Sequence, residues 1–154
     1  MKASNPTDFK LTKVILFPNG DKPEFPITAL VNNIEYVENI TYPFISAKME
    51  IVDSIGMLGS VPLQGGEAVQ IEVSSDAFDK SVTYNFVIWT IQNRFAKQQK
   101  QSYDVGLVSS EALINEANRV NKLLTGNPES IVVDLMKNSL KTVKPVFSEA
   151  SKFD

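Results

Sequence analysis

Three groups of residues have the types and spacing that chemistry would need. Gly65-Gly66-Glu67 is a glycine pair of the kind that lets backbone approach a phosphate closely. It lacks the strand-to-helix setting and the following Lys-Ser or Lys-Thr of a nucleotide loop, and reads instead as a tight turn leading into a strand. The carboxylates Asp53, Glu67, Glu72, Asp76 and Asp79 could serve glycoside hydrolysis or hold Ca²⁺. None shows a diagnostic spacing, and Asp76 and Asp79, beside Ser74 and Ser75, read as a solvated loop. Arg94, Phe95, Lys97 and Lys100 form a basic cluster with an aromatic inside it, the pattern of a surface for single-stranded nucleic acid. Gln98, Gln99 and Gln101 dilute the cluster, and a net charge of −3 supplies no long-range field to draw a polyanion. The cluster therefore reads as a hairpin tip that contacts a protein or stays solvated.

Composition excludes more than these groups assert. The chain has no histidine and no cysteine, so Ser-His-Asp and Cys-His catalysis, His-ligated zinc and imidazole proton shuttling are impossible within it. Lack of cysteine fits a reducing compartment without requiring one. At 154 residues, 43% hydrophobic and 21% charged, the chain has the size and balance of one globular domain. No run approaches the roughly 18 apolar residues of a membrane span. Residues 1–8 lack the apolar core of a secretory signal and are expected to form a loose arm.

The elements that would position these residues are mostly strands. Ile45, Ala47, Met49 and Ile51 alternate with Ser46, Lys48 and Glu50, which predicts a half-buried strand with its core side on the odd numbers. A short helical turn is expected over 54–58, turn chemistry over 62–66, and a second alternating strand at Val69, Ile71 and Val73. Before these, 9–17 reads as a strand with Phe9, Leu11, Lys13 and Ile15 on one face, and 18–21 as a turn. Pro23 and Pro26 restrict the next piece to an edge or connector. Segment 27–42 is strand-like with an ambiguous register.

Downstream, 77–80 reads as a polar connection and 82–91 as a strand apolar on both faces. Val82, Tyr84, Phe86 and Ile88 lie on one side, with Val87, Trp89 and Ile91 on the other. Such a strand is expected to be covered on both sides, by a helix, a second sheet or a partner subunit. Segment 92–101 is a polar loop or long hairpin tip, and 103–108 returns as an antiparallel strand. A helix over 111–124 follows from Leu113, Ala117, Val120 and Leu124, with Ser109 or Ser110 as N-cap and Gly126 ending it. Asn127-Pro128-Glu129 then starts a second helix with the stripe Ile131, Val132, Leu135, Met136 and Leu140. The short gap between the helices predicts a tight corner or αα-hairpin. The organisation is an arm at 1–8, a β-barrel or sandwich at 9–109, and a helical hairpin with an extended tail at 110–154.

The order of elements carries a resemblance. A strand ending Ile51-Val52-Asp53-Ser54, the Pro62 to Glu67 connection and the Ser109 to Asn115 lead into a helix resemble the N-terminal, tail-tube-like part of baseplate hub proteins of contractile-tailed bacteriophages, over about Leu11 to Leu140. The resemblance implies a mainly β (α+β) fold, an antiparallel barrel of the phage tail-tube type with two C-terminal helices. It implies a structural subunit without catalysis, cofactor or metal. Such a subunit would form a ring, trimeric by expectation, at the tail axis between tail tube and spike, with tail tube, spike and baseplate wedge proteins as partners. Its location would be the virion, after assembly in the host cytoplasm, with no membrane and no sequence-specific nucleic acid involved. The candidate subunit contacts are Val87, Trp89, Ile91, Arg94, Phe95, Leu113, Val120, Ile131 and Leu135. The competing readings are a small β-barrel module binding carbohydrate or single-stranded nucleic acid, and an enzyme using carboxylates alone.

Overall fold

The structure is a computed structural model that describes residues 9–20, 22–42, 44–54, 56, 61, 63–75, 78–97 and 100–146. The chain divides into two compact units at Ser109/Ser110. The first is a curled antiparallel sheet of seven strands, β1 (Phe9–Phe17), β2 (Phe25–Pro26), β3 (Val31–Val37), β4 (Ser46–Asp53), β5 (Ala68–Ser75), β6 (Phe78–Lys97) and β7 (Lys100–Val108), in the order β2-β1-β5-β6-β7-β4-β3.

Connectivity explains the curl. The two outermost strands, β2 and β3, are neighbours in sequence, separated only by Ile27 and the 3₁₀ turn Thr28–Leu30. Seven flat strands would span roughly 29 Å, whereas five Cα steps reach about 18 Å at full extension, so the sheet must roll toward closure. The crossing is pinned to β1: the Ile27 amide donates to the Val14 carbonyl at 2.9 Å and the Val14 amide donates to Thr28 Oγ1 at 2.8 Å. Inside lie Val14, Leu16, Ile27, Met49, Ile51, Val69, Ile71, Phe86, Ile88, Tyr103, Val105 and Leu107, all nearly inaccessible to solvent.

The odd-numbered side of β4 faces this core, as its alternation predicts, with Ala47, Met49, Ile51 and also Asp53 buried. Elsewhere bulges re-phase the pattern. In β1 the register slips between Leu11 and Lys13, so Val14 and Leu16 join Leu11 on the core side while Lys13 turns outward, against the face predicted for it. A bulge between Val31 and Asn33 likewise settles β3, whose strand ends at Val37. β6 begins at Phe78, so 78–80 belongs to a strand and not to a connection. The helical turn expected over 54–58 falls mainly outside the described residues, as do 1–8 and 147–154.

The second unit holds α1 (Ser110–Ala117) and α2 (Pro128–Asp134), the latter continued by a wider π turn over Leu135–Ser139. α2 starts as predicted, with the Asn127 side chain accepting from the Ser130 amide at 2.8 Å and Pro128 in the first turn. α1 is shorter than predicted. Asn118 directs both its amide and its side-chain nitrogen at the Ile114 carbonyl, and no helix continues through 118–127. Val120 and Leu124 therefore lie in an irregular connector of ten residues, in place of the short gap on which a tight corner or αα-hairpin was expected. Ser109 Oγ is buried with no hydrogen-bond partner among the described residues, so that side chain does not cap α1.

Glu111, near the start of α1, accepts from the Thr142 hydroxyl at 2.8 Å and faces Lys144 Nζ at 3.2 Å. Burial raises its pKa, but hydrogen bonds from backbone, Thr142 and Lys144 outweigh that, and the net shift is below the ordinary glutamate value. A carboxylate of lowered folded pKa contributes stability that is complete above its unfolded pKa and is lost as pH falls through the folded one. Glu111→Gln should therefore remove part of the acid sensitivity of the helical unit below about pH 4.5, read as a smaller loss of helical circular dichroism between neutral and acid pH than the parent shows.

Candidate interaction surface on the long hairpin

β6 and β7 form a hairpin in which Lys97 pairs with Lys100, so 92–97 and 100–101 are strand and not loop. Two bulges in β6 decide what it displays. At the first, Ile88 pairs with Leu107 but Thr90 pairs with Gly106, leaving Trp89 as the extra residue. Two successive side chains, Trp89 and Thr90, then stand on the outer face opposite one residue. That residue is glycine: a Cβ at position 106 would overlap Thr90 Oγ1, so Gly106 makes the room the bulge needs.

Beyond this bulge the phase is shifted by one. Ile91 pairs with buried Val105 and packs against the core, which corrects its expected place on the outer face beside Trp89. Trp89 itself is 58% exposed, with half-buried Val87 and Val108 paired next to it and exposed Ala68 paired with Val87. The strand expected to be covered on both faces thus leaves a Trp in solvent among the described residues. An exposed Trp beside two Val residues is a place where association gains hydrophobic area.

The second bulge lies between Gln92 and Phe95. Asn93 takes a left-handed conformation (φ 50°) and its side-chain amide donates to Asp104 at 2.8 Å, while Lys48 pairs with the same carboxylate at 2.8 Å. The Lys48 ammonium first, then Asn93, hold Asp104 below its ordinary pKa. Phe95, paired with Ser102, points outward and is 69% exposed. Arg94 turns the other way and hydrogen-bonds Gln101, whose ladder partner on β4 is buried Asp53. Arg94 and Phe95 are thus not brought onto one surface, and Trp89 and Phe95 are roughly 20 Å apart along the strand.

In the helical unit, Val120 and Leu135 line one groove of about 360 Å³ together with Ile114, Leu124 and Leu140. Leu113 and Ile131 are half-buried, and Val132 of the predicted stripe is exposed. Of the carboxylates, Glu67 is buried and accepts from the amides of Gln64 at 2.7 Å and Gly65 at 2.9 Å. Gly65 and Gly66 take positive φ, and the Gly66 amide donates to Ile88 O, extending the β5–β6 pairing, so the glycine pair is the predicted turn. Asp76 and the Asp79 side chain fall outside the described residues. Among the described residues no group of three or more acidic residues is arranged to hold a metal, and no helix is long and apolar enough to cross a membrane. No protein-family model matches the chain, and no curated protein matches it either.

Proposed function

We propose that the chain is a structural subunit of a phage tail baseplate hub, forming a ring, trimeric by expectation, at the tail axis between tail tube and spike. The observation that carries this reading is the outward display of Trp89 on a bulge that Gly106 accommodates. Alternation from buried Ile88 puts Trp89 outside, and the bulge returns Ile91 to the core without turning the indole inward. The curled antiparallel sheet of seven strands followed by two helices supports the resemblance that names the assembly.

The experiment is native mass and sedimentation of the purified chain, alone and with tail tube, spike and wedge proteins. Trp89→Ser should weaken the association by about 30-fold, the size of a central aromatic contact worth roughly 2 kcal/mol. A folded chain that stays monomeric at high concentration and binds none of those components would overturn the proposal.

A further inference from the structure

A second feature lies at the opposite surface of the same unit. Among the described residues, β1 has a ladder partner on its outer side only at Ile15 and Leu16, where β2 pairs, and β3 pairs with β4 alone. Between the outer edge of β1 over 9–13 and the free edge of β3, no ladder closes the barrel among the described residues. Each of the two strands carries a bulge against its inner neighbour, between Leu11 and Lys13 in β1 and between Val31 and Asn33 in β3. Under this seam is a cavity of about 230 Å³ lined by Phe9, Ile34, Tyr36, Val73, Tyr84 and Phe86, among others. Tyr36 and Tyr84 meet at 5.0 Å between ring centres on its wall.

We propose that this seam accepts one extended segment of a partner polypeptide, which adds as a strand between β1 and β3 and places an apolar side chain in the cavity. Two backbone edges that no ladder pairs among the described residues call for alternating amide and carbonyl groups, which an extended peptide supplies and a lipid or small apolar molecule does not. The cavity is smaller than the roughly 300–1,000 Å³ of small-molecule sites, a size for side chains and not for a whole ligand. Side chains of an added strand alternate between the cavity and the outside. On the outside they meet Lys10 and Lys13 of β1 on one bank and Glu35 of β3 on the other, so the segment alternates apolar with polar residues. β1 and β3 run in opposite directions across five antiparallel ladders, so one inserted strand is parallel to one neighbour and antiparallel to the other. The inference is independent of the Trp89 surface.

The probe is a fluorescein-labelled heptapeptide alternating threonine with valine, phenylalanine and valine, compared with the same peptide N-methylated at its three apolar residues. Anisotropy should show saturable binding of the first, at least tenfold weaker binding of the second, and at least tenfold weaker binding of the first to Ile34→Lys. Amide hydrogen exchange over 9–13 and 32–37 should slow at least tenfold in the complex. Trp89→Ser should bind the peptide as the parent does. The two peptides test the idea on the unmodified protein, so it does not depend on Ile34→Lys folding. Equal binding of the N-methylated peptide, protection elsewhere, or no saturable binding at millimolar peptide would overturn it.

Discussion

Glu67→Ala is expected to lower the stability of the β unit by about 3 kcal/mol, because it strands two amides that now donate to a buried carboxylate. Glu67 is 2% exposed, and its two oxygens receive Gln64 N and Gly65 N separately. Neither amide has an alternative acceptor on the replaced side chain, and the loop they belong to leads directly into β5. The Glu67 carbonyl also accepts from Ile88 N, so loosening the turn loosens the start of the β5–β6 ladder. Glu67→Gln keeps one acceptor oxygen and should cost about half as much. Urea unfolding monitored by tryptophan fluorescence measures both; a Glu67→Ala midpoint indistinguishable from the parent's would show that the carboxylate is not a structural clamp.

Phe86→Ala should cost about 3–5 kcal/mol, the usual range for deleting a buried aromatic ring. Phe86 is 2% exposed, packs 6.2 Å from Tyr84 between ring centres, and forms part of the wall of an existing cavity. Removing it would merge new void with old, which leaves little chance for neighbours to collapse inward. Trp89, three residues along the same strand, should behave in the opposite way. Its loss should change unfolding free energy by no more than about 0.5 kcal/mol, as for an exposed surface site, while weakening association. The pair separates core from exposed surface within one strand. A Trp89 substitution as destabilising as Phe86→Ala would contradict the placement of the indole in solvent.

The mainly β architecture was legible because alternation at Ala47, Met49 and Ile51 and at Val69, Ile71 and Val73 depends only on the twofold period of a strand. The start of α2 was equally legible, since Asn127 and Pro128 act locally. Errors of face came at bulges. A single extra residue inverts all that follows, which is why Lys13 and Ile91 lie on the faces opposite to those that strict alternation predicts. One signal for the second error was available: Gly106 interrupts an otherwise regular strand, and glycine there marks a bulge on the neighbour. α1 is shorter than the hydrophobic spacing to Val120 and Leu124 predicts, because of the asparagines at 115, 118 and 121, a residue type whose side chain competes for backbone partners, as Asn118 does at the Ile114 carbonyl.

For the residues that could do chemistry, the sequence alone determined part of what they are not: without histidine or cysteine, neither imidazole nor thiol catalysis was open, and Gly65-Gly66 without a following Lys-Ser or Lys-Thr read as a turn before a nucleotide loop. It also determined the strands, because backbone periodicity is a local property. Only tertiary structure decided that Glu67 clamps its own turn, that Arg94 and Phe95 part company, that Trp89 stands outside, and that β1 and β3 leave a seam. Each of these depends on register between strands distant in the chain, and register is set by the fit of whole sheets and not by any one segment.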